Sequence, residues 1–159
     1  IGAKKALIDK AIRTKLENLR RDGSVTHAVY DRLVFNHFKK ALGGRVRSML
    51  TGSAPLSSEV LDFLRITMCC EFYEAYGQTE SSAGGFSTSF GEQVAGQIGG
   101  PAYCLEFKLV DVPEMQYHAT DKDEAGNPKP RGEICVRGPC VFKGYYKDPV
   151  KTEEAVDKD

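Results

Sequence analysis

A chain of 159 residues with 41% hydrophobic and 28% charged side chains is long enough for one domain with its own core, and its composition is globular rather than disordered or fibrous. Net charge is zero, no basic stripe interleaves with stacking aromatics, and no apolar run approaches the ~20 residues of a membrane span, which argues against nucleic-acid binding and against a spanning helix. The zero hides an asymmetry: residues 1–50 hold 12 Lys plus Arg against 4 Asp plus Glu, a balance that suits either an anionic partner or the solvated face of a helix, the latter being preferred.

In chain order, Leu7, Ile8, Ala11, Ile12, Leu16 and Leu19 recur at helical spacing. They predict an amphipathic helix from the start of the chain to Arg21, with Lys4, Lys5, Lys10, Arg13, Lys15, Arg20 and Arg21 on its wet side and Asp22-Gly23 as its stop. A second helix is expected over residues 30–41, ended by Gly43 and Gly44. Residues 45–50 suit a strand, followed by a turn, Thr51-Gly52-Ser53-Ala54-Pro55. Ser57 or Ser58 then caps a helix with Val60, Leu61, Leu64 and Met68 as its apolar stripe. Residues 69–76 read as a strand that leads into Gly77-Gln78-Thr79-Glu80. Strand, turn, helix, strand, turn is the pattern of an α/β sheet with crossover helices. From Gly99 the texture becomes β-rich, with strands expected over 105–112 and 132–137 and a polar surface loop over 111–131. The chain therefore divides into an α/β part, 1–98, and the start of a β-rich part, 99–159. Asp121 and Asp123 do not complete a calcium loop, because Ala125 and Gly132 stand where oxygen ligands are needed. Five cysteines in no metal-ligand spacing read as small, mostly buried residues of a reducing compartment rather than a disulfide framework.

Three stretches have the chemistry of a site. The turn 51–55 lets a flat ligand approach a strand end closely, although taken alone it reads better as an ordinary strand-to-helix turn. In Glu74-Ala75-Tyr76-Gly77-Gln78-Thr79-Glu80, Tyr76 has an aromatic face for a purine, Gly77 clears space for phosphate, Thr79 donates a hydroxyl, and Glu80 is a hard carboxylate suited to magnesium. Thr79 as a helix cap with Glu80 in the first turn is the bland alternative. The third stretch is Gly132-Glu133-Ile134-Cys135-Val136-Arg137-Gly138-Pro139 with Gly144-Tyr145-Tyr146-Lys147-Asp148-Pro149 beyond it, and it reads as purely structural.

Taken in order, the three are more specific than any alone. Tyr76 to Glu80 resembles the Tyr-Gly-x-Thr-Glu signature of the adenylate-forming enzymes, residues 51–55 resemble that superfamily's adenine loop, and the third stretch resembles its Gly-Glu…Gly-Pro…Gly-Tyr…Pro core. Leu42 to Arg47, Phe72 to Glu80 and Lys108 to Val112 look most like the eukaryotic long-chain acyl-CoA synthetases. The resemblance implies a fragment of the large N-terminal domain of that fold. It implies an ATP- and magnesium-dependent ligase that activates a long-chain fatty acid as acyl-AMP and passes it to coenzyme A. By resemblance Gly52, Ser53 and Ala54 line the adenine, Glu74 and Ala75 lie near its exocyclic edge, and Tyr76 packs on the purine. Gly77 and residues 81–90 border the acyl tunnel, Thr79 holds phosphate and Glu80 ligates magnesium. The family's phosphate loop, its Thr-Gly-Asp motif and its C-terminal lysine are not found in these residues, so the isolated segment is expected to be inactive and both ends look cut. Full-length relatives of this kind are expected on the cytoplasmic side of endoplasmic reticulum, mitochondrial or peroxisomal membranes, held peripherally. The rivals are a non-catalytic nucleotide-binding module and an adenylate-forming ligase for another carboxylic acid.

Overall fold

The computed structural model describes residues 2–92 and 94–157; the terminal residues of the expected first helix and β-rich part, Ile1, Lys158 and Asp159, lie outside the described residues, as does Gln93. The chain forms two compact units, Ile1–Tyr76 with Ser87–Gly100, and Gly77–Phe86 with Pro101–Asp159. A sheet of four strands runs in the order β1-β2-β3-β4, with β1 at Ser48–Thr51, β2 at Glu71–Tyr76, and two-residue strands β3 (Phe86–Ser87) and β4 (Gly100–Pro101). It is an α/β arrangement, as the strand and helix alternation implies.

In the first unit, helix α1 (Gly2–Asp22) buries Ala11, Lys15 and Leu19, one residue per turn along a single face. Leu7 and Ile8, expected on the buried stripe, are exposed, because contact with the rest of the unit is made through the later turns. Lys15 departs from the expected wet face altogether and is 0% exposed. Its ammonium pairs with the Asp31 carboxylate, lies 3.1 Å from Cys69 Sγ, and sits 4.5 Å from the centre of the Phe35 ring. A buried ammonium is tolerated only with such partners.

The expected helix over 30–41 begins earlier and is not uniform: α2 (Ala28–Tyr30) passes through a π-helical turn, Asp31–Phe35, into α3 (Asn36–Ala41). His27 caps it through Nδ1 from Tyr30 N–H, and Asp31 accepts the His27 N–H at 2.8 Å. The wider turn buries Val34 and Phe35 side by side against Ala11 and Cys69.

Helix α4 (Ser58–Met68) starts where its cap predicts, with Ser57 Oγ accepting from Val60 N–H at 3.4 Å. It ends on Cys69 in the left-handed region, a position usually given to glycine. Strand β2 therefore begins two residues later than the alternation suggested. Leu61, Cys70 and Phe72 form the second core cluster, with Met49, Leu64 and Ala95 packed against it. Val60, placed on the apolar stripe by its spacing, is exposed, while Arg65 is buried at 1%. The Arg65 guanidinium donates to the carbonyls of Phe72 and Glu92 and pairs with Asp62. Strands β1 and β2 are parallel, in the register Ser48↔Glu71 to Thr51↔Glu74.

In the second unit, β5 (Glu106–Val110) pairs antiparallel with β6 (Glu133–Arg137), with Phe107 opposite Val136. Phe86 meets Phe107 edge to face at 5.1 Å. The polar stretch between β5 and β6 is an ordered loop. Asp111 and Asp121 hold its base through Ala119 N–H and His118 N–H, while Asp123 closes its tip through Ala125 and Asn127. The chain then adds a short helix, α5 (Pro149–Ala155), with Asp148 as its cap, which the turn signals did not anticipate. Of the five cysteines only Cys69 and Cys70 are buried; Cys104 is exposed and Cys135 and Cys140 are intermediate, so the expectation of mostly buried thiols holds for the first unit alone.

Candidate functional site

The ends of β1 and β2 bring together the first group of sequence-assigned residues. With Thr51 opposite Glu74 in a parallel pair, the chain leaves both strands at their carboxyl ends, the edge at which parallel α/β sheets bind ligands. Gly52 lies directly over Ala75: a Cβ at Gly52 would stand 3.0 Å from the Ala75 carbonyl oxygen. Ser53 takes a positive φ of 68°, bending the loop away from the strand before α4 begins. Gly52, Ser53 and Ala54 are exposed, Ala75 is half-buried, and Tyr76 is 36% exposed.

Glu74 is different. It is buried at 7%, and its side chain is committed inside the unit: Oε2 accepts the Gly96 N–H at 2.8 Å. Its backbone is committed as well, the N–H to Thr88 Oγ1 at 3.0 Å and the carbonyl to Thr88 N–H at 2.9 Å. Together with the Arg65 contact to the Glu92 carbonyl, this ties the stretch after β3 to the core at three points. Gly99, φ +68°, has no room for a side chain, since a Cβ would lie 2.1 Å from the Ser87 carbonyl.

In the second unit the signature continues as a tight turn. Thr79–Ser81 is a single 3-10 turn whose cap is Gln78, not Thr79, with Gln78 and Ser81 forming a reciprocal capping box. The bland reading of Thr79 as a cap therefore does not describe this turn. Thr79 is exposed at its first position. The turn is closed by Ser82 N–H to Thr79 O, Ala83 N–H to Gln78 O and Gly84 N–H to Ser81 O, each near 3 Å. Ser82 and Ala83 both take positive φ, 54° and 61°. Gly77 is pressed against this turn so closely that a Cβ would fall 2.2 Å from the Ala83 carbonyl oxygen.

Glu80 is half-buried. Its carbonyl accepts the Phe142 N–H at 2.7 Å, and its Oε1 accepts a hydrogen bond from the Tyr145 hydroxyl. The Tyr145 hydroxyl holds the Glu80 carboxyl below its ordinary value, and Glu80 in return pushes the Tyr145 phenol up. Both directions favour one state, a carboxylate beside a neutral phenol. Among the described residues no group of three or more His, Cys, Asp or Glu could hold a metal by itself. Glu80 is thus a lone ionised carboxylate, the donor set that suits an ion arriving with a phosphate-bearing ligand rather than a dedicated protein cage. A cavity of about 500 Å³ in the acidic loop, lined by Lys122, Asp123, Glu124, Ala125, Lys129 and Arg131, includes none of the site residues. The sequence gives Tyr145 and Arg65 no part in the site, and Thr88 only a place in the stretch 81–90; the Gly-Tyr pair of the third stretch was the available signal for Tyr145.

A family model described as AMP-binding enzyme matches residues 18–146. The chain is 48% identical over 98% of its length to human long-chain-fatty-acid–CoA ligase 1 and 47% identical over 98% to peroxisomal long chain acyl-CoA synthetase 7 of Arabidopsis thaliana. It spans 21% of each of these relatives. Among solved structures, the A domain of the carboxylic acid reductase of Segniliparus rugosus, in complex with AMP and a co-purified carboxylic acid, superposes with a TM-score of 0.61 at 30% identity, covering 92% of this chain and 21% of that one.

Proposed function

This chain belongs to the AMP-binding enzyme family, and from that membership we propose that it is one segment of an ATP-dependent long-chain fatty acid–CoA ligase. The close identity to long-chain ligases over nearly all of the chain supports the acid class. The observation that supports the site is the parallel pair whose carboxyl ends bring Gly52 against Ala75.

In the reaction proposed, the fatty acid carboxylate oxygen attacks the α-phosphorus of ATP and pyrophosphate leaves. The coenzyme A thiol, losing its proton, then attacks the acyl carbon and AMP leaves. Gly52, Ser53 and Ala54 accept the adenine against bare backbone, with Glu74 and Ala75 walling its exocyclic edge and Tyr76 packing on its face. Thr79 donates its hydroxyl to a phosphate oxygen, and Glu80 supplies the carboxylate for magnesium. Magnesium, when bound, provides Lewis-acid charge on the phosphate oxygens. What supports this reading is placement: a hydroxyl and a carboxylate stand on one turn closed by three backbone hydrogen bonds. Residues 1–98 and 99–159 are taken as parts of one larger AMP-binding domain, and the full-length protein as peripheral to the cytoplasmic face of an organelle membrane. No described helix is long and apolar enough to cross a membrane.

The test uses the full-length parent protein with a panel of carboxylic acids, following ATP–pyrophosphate exchange and acyl-CoA formation. Long-chain acids are expected to be turned over best, and preference for an aryl acid would overturn the assignment. The 159-residue segment alone is expected to give no exchange; measured exchange would refute its dependence on the rest of the enzyme.

A further inference from the structure

The stretch beyond Pro139, which its sequence marks as structural, makes a second set of contacts with the signature turn inside the second unit. Ser82 Oγ donates to the Cys140 carbonyl at 2.9 Å, Phe142 N–H donates to the Glu80 carbonyl at 2.7 Å, and the Tyr145 hydroxyl donates to Glu80 Oε1. Tyr145 is itself fixed from three sides. Its ring stands edge-on to Phe142 at 4.9 Å and 89°. Its N–H donates to Thr152 Oγ1 at 2.9 Å, and that hydroxyl donates onward to the Asp148 carbonyl at 2.8 Å. Gly144, φ +138°, lies so close to Thr152 that a Cβ would meet its Cγ2 at 2.5 Å. Gly144, Tyr145, Asp148 and Thr152 thus form one rigid bracket, with the phenol as its reaching arm.

We propose that Tyr145 is a positioning residue for Glu80: the bracket at residues 142–152 clamps the turn by its backbone, and the phenol engages a single carboxylate oxygen, so that Glu80 meets an incoming metal–nucleotide already oriented. The inference rests on the reading of Glu80 as the magnesium carboxylate. A glutamate side chain has three rotatable bonds, and half-buried on a turn it would otherwise sample several rotamers. Hydrogen bonds from outside a ligand set fix ligand orientation, and removing one typically weakens metal affinity 10–100-fold. The phenol donates to the carboxylate without competing for charge, because a neutral tyrosine adds no cation to repel the metal. The Phe142–Tyr145 ring contact and the Thr152 hydrogen bond do not need the hydroxyl, which separates positioning from packing.

The experiment uses the full-length parent protein and compares Tyr145→Phe, Tyr145→Leu and Glu80→Gln. Binding of Mn2+ together with a non-hydrolysable ATP analogue is measured by electron paramagnetic resonance, beside the Mg2+ dependence of adenylation, the fatty acid KM and the metal-free melting temperature. Tyr145→Phe is expected to weaken Mn2+ binding and raise the half-saturating Mg2+ by on the order of tenfold, with fatty acid KM and melting temperature unchanged. Tyr145→Leu should add a loss of melting temperature. Unchanged Mn2+ binding in Tyr145→Phe, or a lower melting temperature without a metal effect, overturns the proposal. If Glu80→Gln also leaves Mn2+ binding unchanged, the metal role of Glu80 fails instead. Independently of any substitution's folding, a 3-fluorotyrosine at position 145 should change its fluorine resonance when magnesium and the ATP analogue bind, and an invariant resonance refutes the contact between phenol and metal ligand.

Discussion

Two glycines of the site differ in what they stand against, and the difference predicts opposite phenotypes. A methyl added at Gly77 would sit 2.2 Å from the Ala83 carbonyl oxygen and 2.6 Å from its carbon, so the peptide after Ala83 must retreat by close to an ångström. Ala83 also donates its N–H to Gln78 O at 3.0 Å, a bond that closes the turn and that the retreat breaks. Overpacking against backbone together with one lost hydrogen bond costs about 2–4 kcal/mol. At Gly52 the same methyl would lie 3.0 Å from the Ala75 carbonyl oxygen, and no positive φ is involved, so relief needs a much smaller shift. Gly52→Ala is therefore expected within about 1 kcal/mol of neutral for stability, while its methyl occupies the exposed strand end assigned to adenine. Hydrogen exchange in the full-length parent protein reads this directly at the amides of Ser81, Ala83 and Gly84. Gly77→Ala should speed their exchange by on the order of a hundredfold, with or without nucleotide, whereas Gly52→Ala should leave them alone and raise the KM for ATP. Slow exchange retained in Gly77→Ala, or a larger loss of protection in Gly52→Ala, would refute the reasoning.

Further outcomes follow from the buried charges and the acidic loop. Glu74→Gln should loosen the Gly96 hydrogen bond and increase hydrogen exchange at Gly96 and nearby amides; unchanged exchange there would mean that the carboxylate does not anchor this stretch. Lys15→Met leaves Asp31, whose side chain is 17% exposed, without its cation and should destabilise α1 by about 3 kcal/mol. Adding Asp31→Asn should recover most of that loss in denaturant unfolding, and additive losses would remove the pairing argument. Asp111, Asp121 and Asp123 are held below their ordinary values, first by Ala119 N–H, by His118 N–H and by Asn127 respectively. Carboxyls depressed in the folded state contribute order that is full above the unfolded value of about 4 and is lost as pH falls through the folded ones. At the loop tip, away from the His118 ring, the amide resonances of Ala125 and Asn127, which donate to Asp123, should hold from pH 7 to about 4.5 and move only below it; movement already near pH 6 would contradict the assignment.

Local chemistry made much of this architecture readable in the sequence. The 3.6-residue stripe through Ala11 and Leu19, the Ser57 cap of α4 and the position of strand β6 depend on neighbours a few residues apart, and each stands where its pattern put it. The features that escaped are non-local. Lys15 has the same local surroundings as the wet lysines beside it; what buries it is Asp31, sixteen residues on, and Cys69, fifty-four on. Nothing in the spacing of residues 30–41 announces the extra residue of the π turn, which depends on what Val34 and Phe35 pack against. In the candidate site the residue types were legible but the partners were not. Glu80 stood out as a carboxylate in a signature, whereas Tyr145 is 65 residues away in a stretch whose turns satisfied a purely structural account.

Ser82 and Ala83 take the left-handed backbone region in succession, without a glycine between them. For ordinary L-residues that conformation costs roughly 1–2 kcal/mol apiece, and the glycines that would adopt it freely, Gly84 and Gly85, come just afterwards. A chain left to its own preferences would shed that strain by sliding the bend towards them and unwinding the turn that presents Thr79 and Glu80. The Cys140 carbonyl and the Phe142 amide hold the bend against this drift. The turn therefore behaves as a latch with one closed setting: the contacts that hold it and the shape they hold are lost together, so the placements of Thr79 and Glu80 are kept or given up as a pair.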